Sequence, residues 1–251
     1  MTLLRTDGLL KLFGDFHAVD KVNFTVEKGE VLALVGSNGA GKTTLVNVIT
    51  GFYVPDGGTI HFKDVDVTHD TVNERVRSGI ARSFQLVNLF DQMTAFDNIA
   101  LPVFSRERKT RRFLVPSVGD SAVRDEAQAL LEQFGLADKA GVLAGGLAQG
   151  ERKLLDVAAA YALRPSLLFL DEPTSGVSTR DKAKIMDIVS AVVRAGHISA
   201  VIIEHDMDVV FRYSDRIVMM HEGRILADGK PDEIRNNEMV AMTLVGGKFS
   251  N

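Results

Sequence analysis

Alternating and continuous apolar runs along the chain predict an α/β fold. Between Leu3 and Phe62, apolar and polar residues alternate in short runs separated by turn residues. This predicts antiparallel strands around one buried parallel strand, Val31 to Val35. Two later runs, Leu167 to Asp171 and Ser199 to His205, are continuously apolar and end in polar residues. Such runs are typical of central parallel strands whose carboxyl ends carry a site.

Helical spacing of apolar residues occurs in three other segments. Lys42 to Thr50 begins at a Gly-rich turn, Thr71 to Ser78 has polar and apolar residues at helical spacing, and Val123 to Phe134 is amphipathic, with Gly135 as its stop. In contrast, Pro102 to Asp120 is basic and has no clear period, so it is predicted to be a loop or insertion. This segment is either a solvated excursion or a contact with a membrane surface or a partner.

The composition fits one compact domain and excludes several kinds of function. The 251 residues are 45% hydrophobic and 25% charged, which suffices for a buried core. The absence of cysteine excludes a disulfide scaffold, a thiolate metal site and a cysteine nucleophile. The formal charge of −4 argues against nucleic acid as a partner. No apolar run approaches about 18 residues and the N-terminus lacks a signal-peptide pattern, so a cytoplasmic location is expected.

The clearest chemical motif is a Gly-rich loop between a predicted strand and a predicted helix. It consists of Gly36, Ser37, Asn38, Gly39, Ala40, Gly41, Lys42 and Thr43. In such a loop, backbone N–H groups converge on a phosphate and the helix N-terminus adds positive potential. We expect Lys42 to reach the β- and γ-phosphates of a nucleotide and the Thr43 hydroxyl to ligate Mg²⁺. The alternative is a Gly-rich turn with a solvated lysine, which the strand-to-helix placement disfavours.

Two carboxylates follow the predicted strand from Leu167 to Asp171. A buried strand gains nothing from acidic residues at its end unless they face a site. We expect Asp171 to hold Mg²⁺ through water and Glu172 to polarise the attacking water as a general base. A strand that runs into an acidic loop is the alternative, and the upstream phosphate loop disfavours it.

The distance between two motifs relates the chain to a known family. Leu147, Ala148, Gln149, Gly150 and Glu151 begin 24 residues before Asp171. In this the chain resembles the ATP-binding cassettes of ABC transporters, where a Leu-Ser-Gly-Gly-Gln signature stands at that distance before the metal-binding aspartate. The run Leu143 to Gly146 is similar to the signature by its letters but lies four residues too early, so it is interpreted as a loop. The resemblance extends from Leu3 to about Leu244.

The resemblance implies the fold and its subdivision. It implies an α/β P-loop NTPase cassette with a mixed or parallel core sheet, an antiparallel β subdomain and a helical subdomain. Within a single ATP-binding domain over residues 1–251, the core and the β subdomain are expected at about 1–84 and 165–251. The helical subdomain is expected at about 85–164.

The resemblance also implies ATP and Mg²⁺ as ligands and adds site residues. Gln85 matches the glutamine that senses Mg²⁺ and the γ-phosphate, and His205 matches the histidine that contacts the γ-phosphate. Phe13 matches the aromatic residue that stacks on adenine, with Phe16 as the competitor. The expected nucleotide-binding residues are Phe13, Gly36, Ser37, Asn38, Gly39, Ala40, Gly41, Lys42, Thr43, Thr44, Gln149, Gly150 and Glu151. Catalysis is expected from Lys42, Gln85, Glu172 and His205, and metal binding from Thr43, Gln85 and Asp171.

Within the family, the chain is similar to the ATP-binding subunits of branched-chain amino-acid importers. This implies ATP-driven pairing with a second cassette, the same or different, on the inner face of the plasma membrane. It further implies transmembrane permease subunits and, indirectly, a solute-binding protein. Apolar residues for permease docking are expected after Gln85, at Leu86, Val87, Leu89 and Phe90, with core packing as the alternative. A lipid or lipopolysaccharide exporter subunit and a soluble ABC ATPase without a permease are the alternative functions.

The chain departs from the family pattern in two places. Ala148, Gln149 and Glu151 replace the signature serine, first glycine and glutamine, and Val177-Ser178 replaces an expected Leu-Asp. In the family, the signature of one cassette closes over the ATP of the other. We therefore expect a weakened site on the partner and an intact site on this chain.

Overall fold

Two β-sheets of different kinds frame the molecule. The computed structural model describes residues 1–83, 89–107, 121–237 and 239–240. The strands are β1 (Thr2–Phe13), β2 (Phe16–Glu27), β3 (Val31–Val35), β4 (Gly57–Phe62), β5 (Val65–Asp66), β6 (Ile80–Ser83), β7 (Leu167–Asp171), β8 (Ser199–Ile203), β9 (Arg216–His221) and β10 (Arg224–Gly229). The helices are α1 (Lys42–Ile49), α2 (Val72–Ser78), α3 (Ala95–Arg106), α4 (Ser121–Gln133), α5 (Gln149–Tyr161), α6 (Thr179–Ala195), α7 (Met207–Tyr213) and α8 (Pro231–Arg235).

The larger sheet is mixed and carries the predicted parallel strands. Its order is β10-β9-β3-β8-β7-β6, and only the β10–β9 pair in it is antiparallel. All residues of β3, β7 and β8 are buried, as expected for interior parallel strands covered on both faces. The predicted α/β fold with a mixed core sheet is therefore confirmed. The strand that was predicted to reach His205 ends at Ile203.

The smaller sheet is antiparallel and has the order β2-β1-β4-β5. The sequence correctly predicts antiparallel strands here but wrongly places Val31 to Val35 at their centre, because β3 belongs to the larger sheet. The reason is burial, since an all-apolar strand has no face to offer to solvent. Helix α1 lies between the sheets, and its Leu45 and Ile49 share one apolar cluster with β1, β2, β3 and β8.

A buried arginine secures the end of α1. Helix α2 starts at a capping box of Thr71 and Glu74 and carries Arg75. The Arg75 guanidinium donates to the backbone oxygens of Val48 and Ile49, which are carbonyls at the C-terminus of α1. Burial lowers the pKa of Arg75, and the charge of Asp70 opposes that shift.

Helices α3, α4 and α5 pack around a separate apolar cluster that also touches one face of the larger sheet. The prediction of a loop from Pro102 is wrong for its first part, because α3 continues through Pro102 to Arg106. A capping box of Thr94 and Asp97 starts this helix, and Ile99 and Val103 anchor it in the cluster. Residues 108–120 lie outside the described residues. Within the described ranges, no helix is long and apolar enough to cross a membrane.

Candidate nucleotide site

A cleft lies where the carboxyl ends of β3, β7 and β8 meet. These strands pair in parallel, so the segments after Val35, Asp171 and Ile203 are neighbours at one edge of the sheet. The cleft has a volume of about 400 Å³, a size typical of small-molecule sites. Its lining residues are Phe13, Phe16, Ala18, Asn38, Gly39, Ala40, Gly41, Lys42, Thr43, Thr44, Glu172, Ile203 and His205.

Two glycines give the predicted phosphate loop its shape. Gly36 and Gly41 have positive φ values of 148° and 98°, and Gly41 is the N-cap of α1. A Cβ on Gly36 would collide with the carbonyl oxygen of Met220, and one on Gly41 with that of Ala18. Glycine is therefore required at both positions. The loop delivers the chain to the N-terminus of α1, whose free N–H groups favour an anion.

Lys42 is folded back onto this loop. Its ammonium donates to the carbonyl oxygens of Gly36 at 2.7 Å and Ser37 at 3.0 Å, and the residue is only 6% exposed. Burial lowers the pKa of Lys42, while the negative charges of Glu172 and Asp171 oppose that shift. The ammonium thus sits in a desolvated position where a phosphate anion would be strongly attracted.

Glu172 and His205 meet in the cleft. Glu172 Oε1 and His205 Nε2 lie 3.1 Å apart, within hydrogen-bond distance. Glu172 has a φ of 47°, a left-handed conformation that costs a residue other than glycine roughly 1–3 kcal/mol. Its N–H donates to the carbonyl oxygen of Ile203 at 2.9 Å. Backbone and side chain are therefore both tied to the end of β8.

Asp171 is buried and paired with an arginine that the motif analysis did not single out. Arg82 of β6 forms an ion pair with Asp171 Oδ2 and also donates to Asn47 Oδ1 on α1. The signal in the sequence is a charged residue within the buried strand that precedes Gln85. Gln85 itself, together with Leu86 and Val87, lies outside the described residues.

The comparisons with known proteins agree with this geometry. The ABC transporter family profile matches residues 19–175. The chain is 36% identical to the high-affinity branched-chain amino acid transport ATP-binding protein LivG of Escherichia coli K12. The alignment covers 97% of this chain and 98% of LivG. The chain belongs to the ABC transporter ATP-binding family. This cassette is also 35% identical to the corresponding protein BraF of Pseudomonas aeruginosa, over 97% of this chain and 98% of the relative.

Solved structures of cassettes have the same fold. A nucleotide-free ATP-binding cassette from an ABC transporter is 32% identical, with a TM-score of 0.85 over 96% of this chain and 98% of that chain. An ABC transporter cassette in its ADP conformation is 31% identical, with a TM-score of 0.86 over 98% and 99%. The cassette is therefore an ATPase of this family, and ATP is its nucleotide.

The signature-like segment of the cassette is not part of the cleft lining given for the same chain. Helix α5 begins at Gln149 with Ala148 as its N-cap, which agrees with the register chosen from the distance to Asp171. Neither Gln149 nor Gly150 is among the lining residues given for the cleft. The earlier run from Leu143 was interpreted as a loop, and the structure instead forms one 3₁₀ turn over Ala144–Gly146.

Only one half of a capping box is present at the start of α5. Ala148 has no side-chain oxygen, so it cannot accept from the first turn of the helix. Glu151 Oε2 accepts from the Ala148 N–H at 2.9 Å, which is the other half of such a box, and Glu151 Oε1 lies 3.3 Å from Lys139 Nζ. A carboxylate therefore occupies the start of the helix that the family resemblance assigns to the partner's nucleotide.

The departure at Ser178 has a local explanation. Ser178 is the N-cap of α6, and its hydroxyl accepts from the N–H of Asp181 at 3.3 Å. Serine and aspartate are both good N-caps, so Ser178 preserves this helix start.

Phe13 and Phe16 both line the cleft, so its geometry leaves either ring available to a base. They are 47% and 61% exposed, and core packing, the alternative for the ring that does not stack, is therefore excluded. Phe13 is the better fixed of the two. Its ring meets Tyr53 edge-on at 5.5 Å, and Lys11 Nζ lies 5.7 Å from its centroid.

Glu204 is a second site neighbour that the motif analysis missed. It is buried beside His205, and its Oε1 accepts from the N–H and the hydroxyl of Thr174 at 3.0 and 2.6 Å. The signal in the sequence is an acidic residue at the end of a buried strand. Because Thr174 follows Glu172 by two residues, Glu204 fixes the turn that carries the Glu172 carboxylate.

Proposed function

We propose that this cassette hydrolyses ATP to drive an importer for branched-chain amino acids or related small polar solutes. The observation that carries the ATPase part is the Glu172–His205 pair in the cleft of the phosphate loop. The solute is supported by kinship, because LivG and BraF are named for branched-chain amino acid transport and a cassette fold does not itself select a solute.

In this proposal the phosphate loop binds the nucleotide and the residues around it perform hydrolysis. Lys42 and the backbone N–H groups from Gly39 to Thr44 hold the β- and γ-phosphates. Glu172 accepts a proton from the attacking water, and His205 donates from Nε2 to the γ-phosphate once it is bound. Rate enhancement comes mainly from fixed charges and dipoles aimed at the transferring phosphoryl group.

Mg²⁺ fits the oxygen ligands at this site. Thr43 lines the cleft next to Lys42. Burial lowers the pKa of Lys42, and the charge of Asp171 is close enough to oppose that shift. A hydroxyl and a carboxylate are ligands that Mg²⁺ prefers. We therefore assign Thr43 to ligate the ion and Asp171, whose Oδ2 is paired with Arg82, to hold it through water, with Gln85 as a further ligand. Bound there, the ion would supply positive charge that neutralises the phosphate oxygens.

A second cassette completes the assembly in this proposal. The residues at the start of the signature helix α5 are not among those that line the chain's own cleft. We infer that Gln149, Gly150 and Glu151 serve the partner's nucleotide. Because Ala148 lacks a hydroxyl and Glu151 adds a negative charge near that position, we expect the partner's nucleotide site to be the weaker one. A partner with an unaltered signature would complete the site on this chain. The division into a core over about 1–84 and 165–251 and a helical subdomain over about 85–164 stays a prediction.

Docking to a permease is proposed for the surface around Phe90. This ring is 60% exposed, whereas Leu89 packs partly against the helical cluster. The segment that follows Phe90 is bonded to the exposed Val142–Leu143 segment, because the Ala95 N–H donates to the carbonyl oxygen of Val142 at 2.9 Å. We therefore expect Phe90→Asp to uncouple transport from hydrolysis while ATP binding is retained. Through this contact the cassette would be held at the inner face of the plasma membrane.

Uptake by the reconstituted transporter tests the proposal. The cassette is assembled with its permease subunits and partner cassette in vesicles, and radiolabelled leucine uptake is measured with and without the solute-binding protein. The proposal predicts ATP-dependent uptake that needs the binding protein and is lost with Glu172→Gln. ATP turnover stimulated by lipid or lipopolysaccharide, without solute uptake, would assign the cassette to an exporter instead. Turnover that needs no permease would assign it to the soluble ABC ATPases.

A further inference from the structure

A buried lysine outside the nucleotide cleft contacts the backbone of Glu172. Lys153 on α5 is only 3% exposed, and its ammonium donates to the carbonyl oxygen of Glu172 at 3.0 Å. Removing an ammonium from water is unfavourable unless polar groups in the protein compensate. Its contact with the backbone of Glu172 therefore suggests a role at this turn.

The bond acts where the backbone of Glu172 is unusual. Glu172 is in the left-handed region, and such a conformation persists only where its surroundings enforce it. The N–H of Glu172 is bonded to Ile203 of β8, and its carboxylate faces His205. Lys153 adds the third restraint, on the carbonyl. Together the three bonds fix the direction in which the Glu172 side chain leaves the backbone.

Lys153 also differs from Glu204 in where it comes from. Glu204 lies at the end of the larger sheet and holds Thr174 from there. Lys153 belongs to the helical layer, and it lies one turn after Gln149, at which α5 begins. The same helix therefore carries the signature segment at its N-terminus and a restraint on the catalytic turn four residues later.

We propose that Lys153 is a positioning residue that aligns Glu172 for hydrolysis and makes this alignment depend on the placement of the signature helix. This inference rests on the proposed role of Glu172 as the general base. A shift of α5 relative to the larger sheet would lengthen the Lys153 contact and leave the Glu204 contact in place. Hydrolysis on this chain would then respond to whether the segment at the start of α5 is engaged by the partner cassette.

Three variants in the assembled transporter test the inference. Lys153→Met keeps the length and burial but removes the donor, Lys153→Arg keeps a cationic donor, and Arg152→Met is the matched control. Arg152 also donates to a backbone carbonyl from α5, but its bonds go to Ala144 and Asp91. The measurements are kcat and KM for ATP, affinity for a fluorescent ATP analogue, and melting temperature.

The inference predicts a loss confined to the catalytic step. Lys153→Met should lower kcat roughly 10- to 100-fold, as expected for a misplaced catalytic group, while KM and analogue affinity change less than about threefold. Lys153→Arg should recover a large part of kcat, and Arg152→Met should stay close to wild type. In the Glu172→Gln background, Lys153→Met should lower the residual rate little further, because both changes act through the same group.

Several results would overturn the inference. Lys153→Met with normal kcat, or with kcat and analogue affinity reduced in parallel and no recovery by Lys153→Arg, would show that Lys153 serves only stability. If Lys153→Met does not fold, Lys153→Gln replaces it. Its uncharged amide is one bond shorter than the lysine side chain, so the bond to the Glu172 carbonyl should be weakened or lost and kcat should again fall while analogue affinity is kept. Glu172→Gln distinguishes failure of the proposed function from failure of this inference. Full turnover in Glu172→Gln refutes the general-base role. An inactive Glu172→Gln together with a fully active Lys153→Met refutes only the positioning role of Lys153.

Discussion

The nucleotide cleft and the signature segment of this cassette both place the N-terminus of a helix at a site, but their side chains differ in kind. At the cleft, α1 follows a glycine cap, and the nearby side chains are the cation Lys42 and the Glu172–His205 pair. At the signature segment, α5 follows an alanine cap, and the carboxylate of Glu151 accepts from the N–H of that alanine. The N-terminus of α1 therefore favours binding of a phosphate, whereas the N-terminus of α5 already carries a negative charge.

The difference shows that backbone geometry and chemical competence can separate within one chain. Helix α5 keeps the register and the N-terminus that the family uses, although three signature side chains have changed. The phosphate loop keeps both the backbone geometry and the side chains that the family pattern requires. An asymmetric pair of sites, complete on this chain and weakened on the partner, is therefore what the comparison predicts.

The largest effect should come from removing the carboxylate of the complete site. Glu172→Gln keeps the size and a weak bond to His205 but cannot take a proton from water, so kcat should fall roughly 10²- to 10⁴-fold. Nucleotide affinity should remain within a few-fold. Steady-state turnover of the assembled transporter, with analogue binding measured alongside, checks this. Turnover above one tenth of wild type would mean that another group serves as base.

Removing the cation of the same site should mainly weaken binding. Lys42→Met deletes charge-assisted bonds to phosphate worth roughly 1.5–3 kcal/mol, or about 10- to 100-fold in affinity. Because burial lowers the pKa of Lys42, the free protein gains little from this charge, and we expect the melting temperature without nucleotide to stay the same or rise. Titration calorimetry and thermal melting test both statements. Unchanged ATP affinity would contradict the assignment.

The adenine contact should give an intermediate effect and decide between two rings. Phe13→Ala should weaken ATP binding by about 1 kcal/mol, or roughly fivefold, at the lower end of stacking energies because the ring stays half-exposed. Phe16→Ala is the matched control and should change ATP affinity less than twofold. Inorganic triphosphate should bind equally to both variants. A larger loss from Phe16→Ala would transfer the stacking role to that ring.

Restoring the altered region should give the smallest effect. Ala148→Ser combined with Glu151→Gln returns a hydroxyl and removes the carboxylate, and one neutral hydrogen bond is worth about 0.5–1.5 kcal/mol. We expect turnover of the assembled transporter to rise about two- to fourfold. Glu132→Gln, on the exposed side of α4, controls for the lost charge and should change nothing. No rise in turnover would show that the signature departures are neutral.

The sequence predicts the features that depend on local patterns. Continuous apolar runs identify β3, β7 and β8, and the glycine spacing identifies the phosphate loop. Lys42, Glu172 and His205 line one cleft at the carboxyl ends of the parallel strands, and the charge of Asp171 acts on Lys42 there. Their chemical roles stay predictions.

The features that sequence patterns missed depend on contacts between distant segments. The helix through Pro102 is an exception, because its start is set locally by Thr94 and Asp97, upstream of the segment without a clear period. Arg82 and Lys153 carry no motif, and their significance follows only from the backbone and side-chain atoms that they reach in β7 and the following turn.

ATP turnover by the purified cassette, alone and together with its partner cassette and permeases, tests the asymmetry most directly, with Glu172→Gln as the blank. We expect little turnover from the cassette alone, because each site would then close on an altered signature. Turnover should appear in the assembled complex and vanish with Glu172→Gln. Brisk turnover by the isolated cassette, abolished by Glu172→Gln, would refute the asymmetry of the two sites, because Ala148 and Glu151 would then support hydrolysis as well as an unaltered signature.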